Sequence, residues 1–317
     1  MHGFEDIKKE ELDSLPTKIK KYDPNPWADH IELLCLRDDI VSKTDIGDLW
    51  YDVDLDNSAQ KGEESHLKRS VDIESEIDDY FMLLKYRADT CGLFYPFTVK
   101  DKKILQIKSR LTRANYVYIY LLLCSSISLM EKSVSTFYED NFEVFCSYAF
   151  SGLVSKNSSI ELFGPKNKSG IFRGTLADRI EQLGKMIGLD SLVTGSVKYN
   201  SIPGGDGGID IISVNKLDGA ENVPFAFGQV TCSYNDWQDK QNDASHSTWS
   251  HRLNHLVNYP EYMFIPFSFH NSSDKLCEPS DIKTFLVDRI RLIKLVMNNE
   301  DVKSKIVKHC YKAFHDN

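Results

Sequence analysis

The stretch GGDGGIDIISVNKLDGAENVPFAFGQVTCS, residues 204–233, decides how the rest of the chain is read. Residues 208–214 are rich in β-branched side chains and predict a strand; residues 224–231 predict a second. The polar run 215–222 between them contains Gly219, so a hairpin is the economical connection. Side chains alternate along a strand, which sets Asp210 on the face of Ile212 and Val214. By the same rule Gln229 and Thr231 share the face of Phe225 and Phe227, and Gly228 leaves the other face bare beside them. Such a hairpin brings Asp210, Gln229 and Thr231 to one end of a shared sheet. A buried carboxylate is costly unless it is paired, hydrogen-bonded or metal-bound. Asp210, between Ile209 and Ile211, therefore marks either a structural pairing with Arg or Lys or a binding site. The neighbouring GGDGG, residues 204–208, gives a backbone loose enough for a ligand to approach closely, which favours the site.

Working outward, residues 137–154 predict a helix whose stripe is Phe142, Phe145, Tyr148, Ala149 and Leu153. Glu143 lies beside that stripe near the helix start; read alone, it is an exposed acid favoured by the helix dipole. Residues 175–188 predict a structural helix, with Thr175 and Asp178 as its N-terminal signal and Gly188 as its stop. Residues 260–269 read as a buried strand. Residues 282–297 read as an amphipathic helix on which Arg289 and Arg291 are either phosphate contacts or ordinary solvated charges. His251 and His255 have the i, i+4 spacing of two zinc ligands on a helix, yet no HExxH and no third ligand accompany them. A polar helix face beside a nucleic-acid groove is the alternative. GGDGG lacks the GK[ST] of a phosphate-binding loop.

The N-terminal half carries no catalytic constellation. Residues 31–36 are a short apolar run, 56–68 read as a loop, 71–90 as an amphipathic helix, and 94–97 as a break. The apolar run 114–130 approaches the length of a membrane span, but Asn115, three tyrosines and three serines suit a buried helix better. Of the net charge of -9, residues 1–80 hold 22 acids against 10 bases, so the remaining chain is about +3. The acidity is either a solvated face or a module that repels DNA until something moves it. Seven scattered cysteines, an odd number with no CxxC, fit a reducing cytosol, and no secretion signal is visible in the first residues. With 317 residues and 41% hydrophobic content, two domains are expected. The boundary falls near residue 135: residues 1–134 mostly helical, regulatory or partner-binding, and residues 135–317 a mixed α/β domain.

The order of Glu143, then Asp210 in GID, then Gln229-Val230-Thr231 resembles the PD-(D/E)xK nuclease superfamily, the restriction-endonuclease-like fold. DGGIDII followed by a loop and FGQ looks most like the Mrr-like and Cap4-like nucleases of bacterial anti-phage defence. The resemblance covers residues 137–291. It implies an α/β fold with a mixed central sheet flanked by helices, and Mg²⁺-dependent phosphodiester hydrolysis on DNA. It implies Asp210 as first-strand metal ligand, Gln229 at the D/E position, Glu143 as the upstream helix acid and the Val230 carbonyl as the remaining ligand. Mg²⁺ takes oxygen ligands and keeps several waters, which suits this donor set. The motif lysine is absent and Thr231 stands in its place. Lys240, nine residues on and expected at the start of a following helix, is the replacement cation or else a surface lysine. Without a cation the domain would be an inactive DNA-binding or scaffold subunit; RNA as substrate is a further alternative. Analogy with defence operons adds a partner chain, such as an ATPase, and a homo-oligomer to the expectations.

Overall fold

Hydrogen-bond pairing sorts the strands of the computed structural model into two sheets, one in each of two compact units. The structure describes residues 7, 12, 23–58, 63–164, 170–192, 207–218, 223–254 and 257–315, with backbone alone for those within 51–73. The first unit takes Met1–Thr136 together with Phe267–Cys277 and Val307–Asn317; the second takes Phe137–Pro266 and Glu278–Ile306.

The first unit opens with helix α1 (Asn25–Asp38), strand β1 (Ile40–Ser42) and helices α2 (Lys43–Ser58) and α3 (Glu63–Cys91). Strands β2 (Phe97–Lys100) and β3 (Ile104–Ile107) form a hairpin, and β1 adds to it in the order β1-β3-β2, all antiparallel. Helix α4 (Arg113–Cys124) follows, wholly buried from Val117 to Cys124. Its Asn115 side chain caps it by accepting from the Thr112 N–H at 2.9 Å. Among the described residues no helix is long and apolar enough to cross a membrane.

Two sequence expectations change here. The predicted loop at 56–68 is mostly helix, since α2 runs to Ser58 and α3 begins at Glu63. Polarity alone does not separate a solvated helix from a loop. The three-stranded sheet is not anticipated, because the turn that closes its hairpin is Asp101-Lys102 rather than the Asn-Gly pair that signals such turns.

A buried ionic network pins this unit. Arg87 on α3 is fully buried and donates to Asp29 at 2.7 Å and Glu32 at 2.9 Å, both on α1. The Tyr95 and Tyr118 hydroxyls each donate to Glu32 at 2.8 Å, and Ser125 donates to Asp29 at 2.9 Å. Pairing of this kind offsets the cost of burying the charges, although the buried Arg87 Nε has no hydrogen-bond partner among the described residues.

In the second unit, helix α5 (Lys132–Phe150, its first residues in the first unit) precedes β4 (Ser159–Leu162) and helix α6 (Leu176–Ile187). Next come β5 (Ile211–Val214), β6 (Phe225–Val230), the single-turn helices α7 (Trp237–Lys240) and α8 (His246–Trp249), β7 (Glu261–Phe264) and β8 (Phe285–Val287). Helices α9 (Arg289–Asn298) and α10 (Glu300–His315) close the chain, α10 ending in the first unit. The sheet order is β4-β5-β6-β7-β8, antiparallel across β4-β5-β6 and parallel across β6-β7-β8. Helix α6 packs Leu176, Ile180, Leu183 and Ile187 with Ile212, Val214, Phe225 and Phe227 on one face. On the other face, Phe150 of α5 sets its ring against Tyr262 and Phe264. The unit is thus a mixed α/β layer with helices on both sides of a mixed sheet.

The cap of α6 is as the sequence predicts: Thr175 accepts from the Asp178 N–H, and Gly188 takes a left-handed φ of 71°. The helix predicted over 282–297 is shorter. Residues 285–287 form β8, and Asp288 caps α9 by accepting from the Arg291 N–H at 3.1 Å. A short apolar run fits either period, and here pairing with β7 decides it. Arg289 is fully buried with its Nε on the Pro266 carbonyl at 2.7 Å, so it is no phosphate contact. Arg291 is exposed and donates to the Leu286 carbonyl.

Candidate functional site

The β5–β6 hairpin forms with the register Ile211↔Gly228 through Val214↔Phe225. Just before β5 the ladder is irregular. The Asp210 N–H donates to the Gly228 carbonyl at 3.0 Å, although Gly228 is already the partner of Ile211. Two residues of one strand therefore oppose one of the other, which is a β-bulge. Alternation fails across a bulge, and Asp210 leaves the face of Ile212 and Val214 where the sequence reading set it. Its carboxylate accepts from the Val230 N–H at 2.6 Å, filling the place where the backbone ladder would have continued.

Glycine makes the approach to this bulge possible. Gly207 and Gly208 have φ of +68° and +83°. A Cβ on Gly208 would fall 2.2 Å from the Cβ of Asp243. Gly204, Gly205, Asp206 and Gly219 lie outside the described residues.

Glu143 and Asp210 share a neighbourhood. Glu143 is half-buried on α5, one turn before Cys146. The Cys146 thiol is pushed well above its ordinary value, first by burial, then by the fields of Cys232, Asp210 and Glu143. A second path links the two acids: Glu143 Oε2 lies 3.8 Å from where a Cβ on Gly164 would stand, and the adjacent Phe163 N–H donates to the Asp210 carbonyl at 2.8 Å.

Lys240 ends α7 rather than starting a helix, and is half-buried. Its ammonium donates to the Thr231 hydroxyl at 3.1 Å. The same hydroxyl accepts from the Ser233 N–H at 3.1 Å. Consecutive residues of one strand end thus hold an acid and a cation: Val230 binds Asp210, and Thr231 binds Lys240.

Gln229 is 6% exposed, and its Oε1 is buried without a hydrogen-bond partner. Alternation along β6 assigns Gln229 and Thr231 to the face of Phe227, whereas Glu143 belongs to α5 on the other face. The sequence-predicted residues therefore fall into two groups, Glu143 with Asp210 and Gln229 with Thr231 and Lys240, and the end of β6 joins them. Among the described residues no three His, Cys, Asp or Glu side chains come together to hold a metal. The donors on hand are two carboxylates, an amide oxygen lacking a partner and the Val230 carbonyl, an all-oxygen set of the kind Mg²⁺ takes.

The histidine reading does not survive. His251 lies in a turn after α8, so the helical i, i+4 spacing does not apply, and His255 is outside the described residues. The neighbouring Arg252 is the residue missed in that run. Its guanidinium stacks over Trp249 at 4.7 Å and donates to the Gly207 carbonyl, bracing the glycine turn. No local pattern signals a contact spanning that separation. Compared with known families, curated proteins and solved structures, the chain matches none.

Proposed function

We propose that the second unit is a Mg²⁺-dependent DNA endonuclease with a restriction-endonuclease-like architecture, acting as the effector of a prokaryotic anti-phage defence system. The observation that carries the reading is the pair of contacts at the end of β6, with Asp210 on the Val230 N–H and Lys240 on the Thr231 hydroxyl. Asp210 and Glu143 would hold Mg²⁺ together with the Val230 carbonyl, while Gln229, on the face of Phe227, falls outside that set. Bound there, Mg²⁺ supplies Lewis-acid polarisation of the phosphate and a lower pKa for the attacking water.

The chain's own residues do the rest. The Val230 N–H fixes one oxygen of Asp210, so the acid needs no reorganisation before reaction. Lys240 takes the place of the motif lysine through space: Thr231 supplies the backbone position and its hydroxyl holds the ammonium there. A cation at that point stabilises the charge that grows on the phosphate oxygens. The test is cleavage of supercoiled plasmid with Mg²⁺, and in EDTA as control. Wild type nicks or linearises the plasmid, and Asp210→Ala lowers the rate about 100- to 1,000-fold, the cost of losing an essential electrostatic group. Undiminished cutting by Asp210→Ala overturns the reading. A parallel digestion of RNA of matched length fixes the substrate class.

One observation favours a second reading, an inactive DNA-binding or scaffold subunit. Gln229 lies on the Phe227 face, away from Glu143, which leaves two carboxylates and the Val230 carbonyl as the close donors. Absence of Mg²⁺ binding by calorimetry, with DNA binding retained, is its signature.

A further inference from the structure

The first unit is strongly acidic up to α3, yet residues 97–113 carry six bases and one acid. Lys100, Lys102 and Lys103 stand exposed around the tip of the β2–β3 hairpin, with Asp101 the single acid among them. Arg110 and Arg113 are exposed in the segment that leaves β3. Among the described residues the side chains of Lys102, Lys103 and Arg110 make no hydrogen bond or ion pair, in a unit rich in acids that could have paired with them. The nearby Asp45 is spent on the Ser42 N–H and hydroxyl, at 2.8 and 2.7 Å.

The hairpin tip adds an independent observation. Its two-residue turn is closed by the Lys103 N–H on the Lys100 carbonyl at 2.9 Å, and both central residues are left-handed, Asp101 at φ 51° and Lys102 at φ 54°. Asparagine and glycine are the residues that adopt this turn without strain. Lys102 thus sits in the turn position where glycine is preferred and presents its ammonium at the exposed tip.

We infer that the β2–β3 hairpin and the Arg110 loop form a sequence-independent docking surface for the phosphate backbone of duplex DNA. From Lys103 to Lys108 an extended strand spans about 17 Å, at about 3.3 Å per residue. Phosphates along one DNA strand follow at about 3.4 Å of axial rise, so the exposed cations beyond the two ends of β3, the tip lysines and Arg110, can meet phosphates roughly five steps apart, while the Lys108 ammonium is held by the Tyr95 carbonyl at 2.6 Å. The cations lie on a hairpin and a loop rather than on the amphipathic helix that a membrane surface recruits. The choice of DNA rests on the proposed nuclease reading; the charge cluster does not.

The test is fluorescence anisotropy of the full chain with a labelled 25-base-pair duplex of arbitrary sequence, in EDTA, across a KCl series. Each phosphate contact contributes about 0.9 to the slope of log K against log salt. The K102Q/K103Q/R110Q variant is expected to bind more weakly and to lose about 3 from the slope, and R110Q alone about 1. Circular dichroism melting checks that these exposed substitutions leave the fold intact. Slopes unchanged in both variants overturn the inference. So does wild-type protein that ignores the duplex, or that instead binds vesicles containing 30% phosphatidylserine. Cutting by Asp210→Ala in Mg²⁺ reports on the nuclease reading separately, since that substitution leaves the hairpin untouched.

Discussion

At the scale of residues, the account turns on Thr231 and Lys240. Threonine supplies no cation, and the ammonium of Lys240 donates to its hydroxyl at 3.1 Å; under the proposed nuclease reading that ammonium is the cation of the site. Lys240→Met is therefore expected to lower Mg²⁺-dependent cleavage about 100-fold or more, the usual cost of deleting a charge-stabilising group. Thr231→Lys in that background returns the cation to the strand and should recover most of the rate. Single-turnover plasmid cleavage by the three proteins checks this; a double variant as poor as Lys240→Met would show that Lys240 acts elsewhere. Sequence reasoning reaches Lys240 because nine residues and a short turn leave few other cations able to fold back. It does not reach the Asp210 geometry. Alternation assumes one residue per ladder position, and the extra residue opposite Gly228 is invisible to it.

At the scale of elements, the β5–β6 hairpin and the capped helix α6 are legible because their signals are local: β-branched runs around a polar loop, and Thr175 with Asp178 three residues on. The β2–β3 hairpin is not, since Asp101-Lys102 carries no recognised turn signature. The glycine turn before β5 is intermediate. Its glycines are conspicuous, but what they make room for, Asp243 and the Arg252 guanidinium, is distant in sequence. Gly208→Ala sets a methyl group on Asp243 in a backbone conformation that L-residues avoid. It should destabilise the second unit by about 2 kcal/mol, a cost of about 1–3 being typical of such strain. Urea unfolding measures the change. Stability equal to wild type would mean that the turn is held less tightly than the Gly208–Asp243 approach implies.

At the scale of the whole molecule, chain order and spatial order part company. A boundary near 135 follows the composition, but the first unit also takes Phe267–Cys277 and Val307–Asn317. Asn25 donates to the His270 carbonyl at 3.1 Å, and Tyr116 sets its ring against Tyr311 and Phe314. Nothing in a linear reading points from α1 or α4 to segments so far away. Residues 1–134 expressed alone therefore lack part of their own packing and should lose cooperative thermal unfolding, read by near-ultraviolet circular dichroism. A sharp transition from that fragment would show the returning segments to be dispensable.

Across all three scales the account needs Asp210 and Glu143 to share one hard cation beside the end of β6. Electron paramagnetic resonance of Mn²⁺, a spectroscopic stand-in for Mg²⁺, counts that ion directly. Wild-type protein should hold one Mn²⁺ at a concentration at which Asp210→Asn and Glu143→Gln each hold essentially none. Equal Mn²⁺ occupancy in wild type and both variants, or none in wild type, would contradict the account.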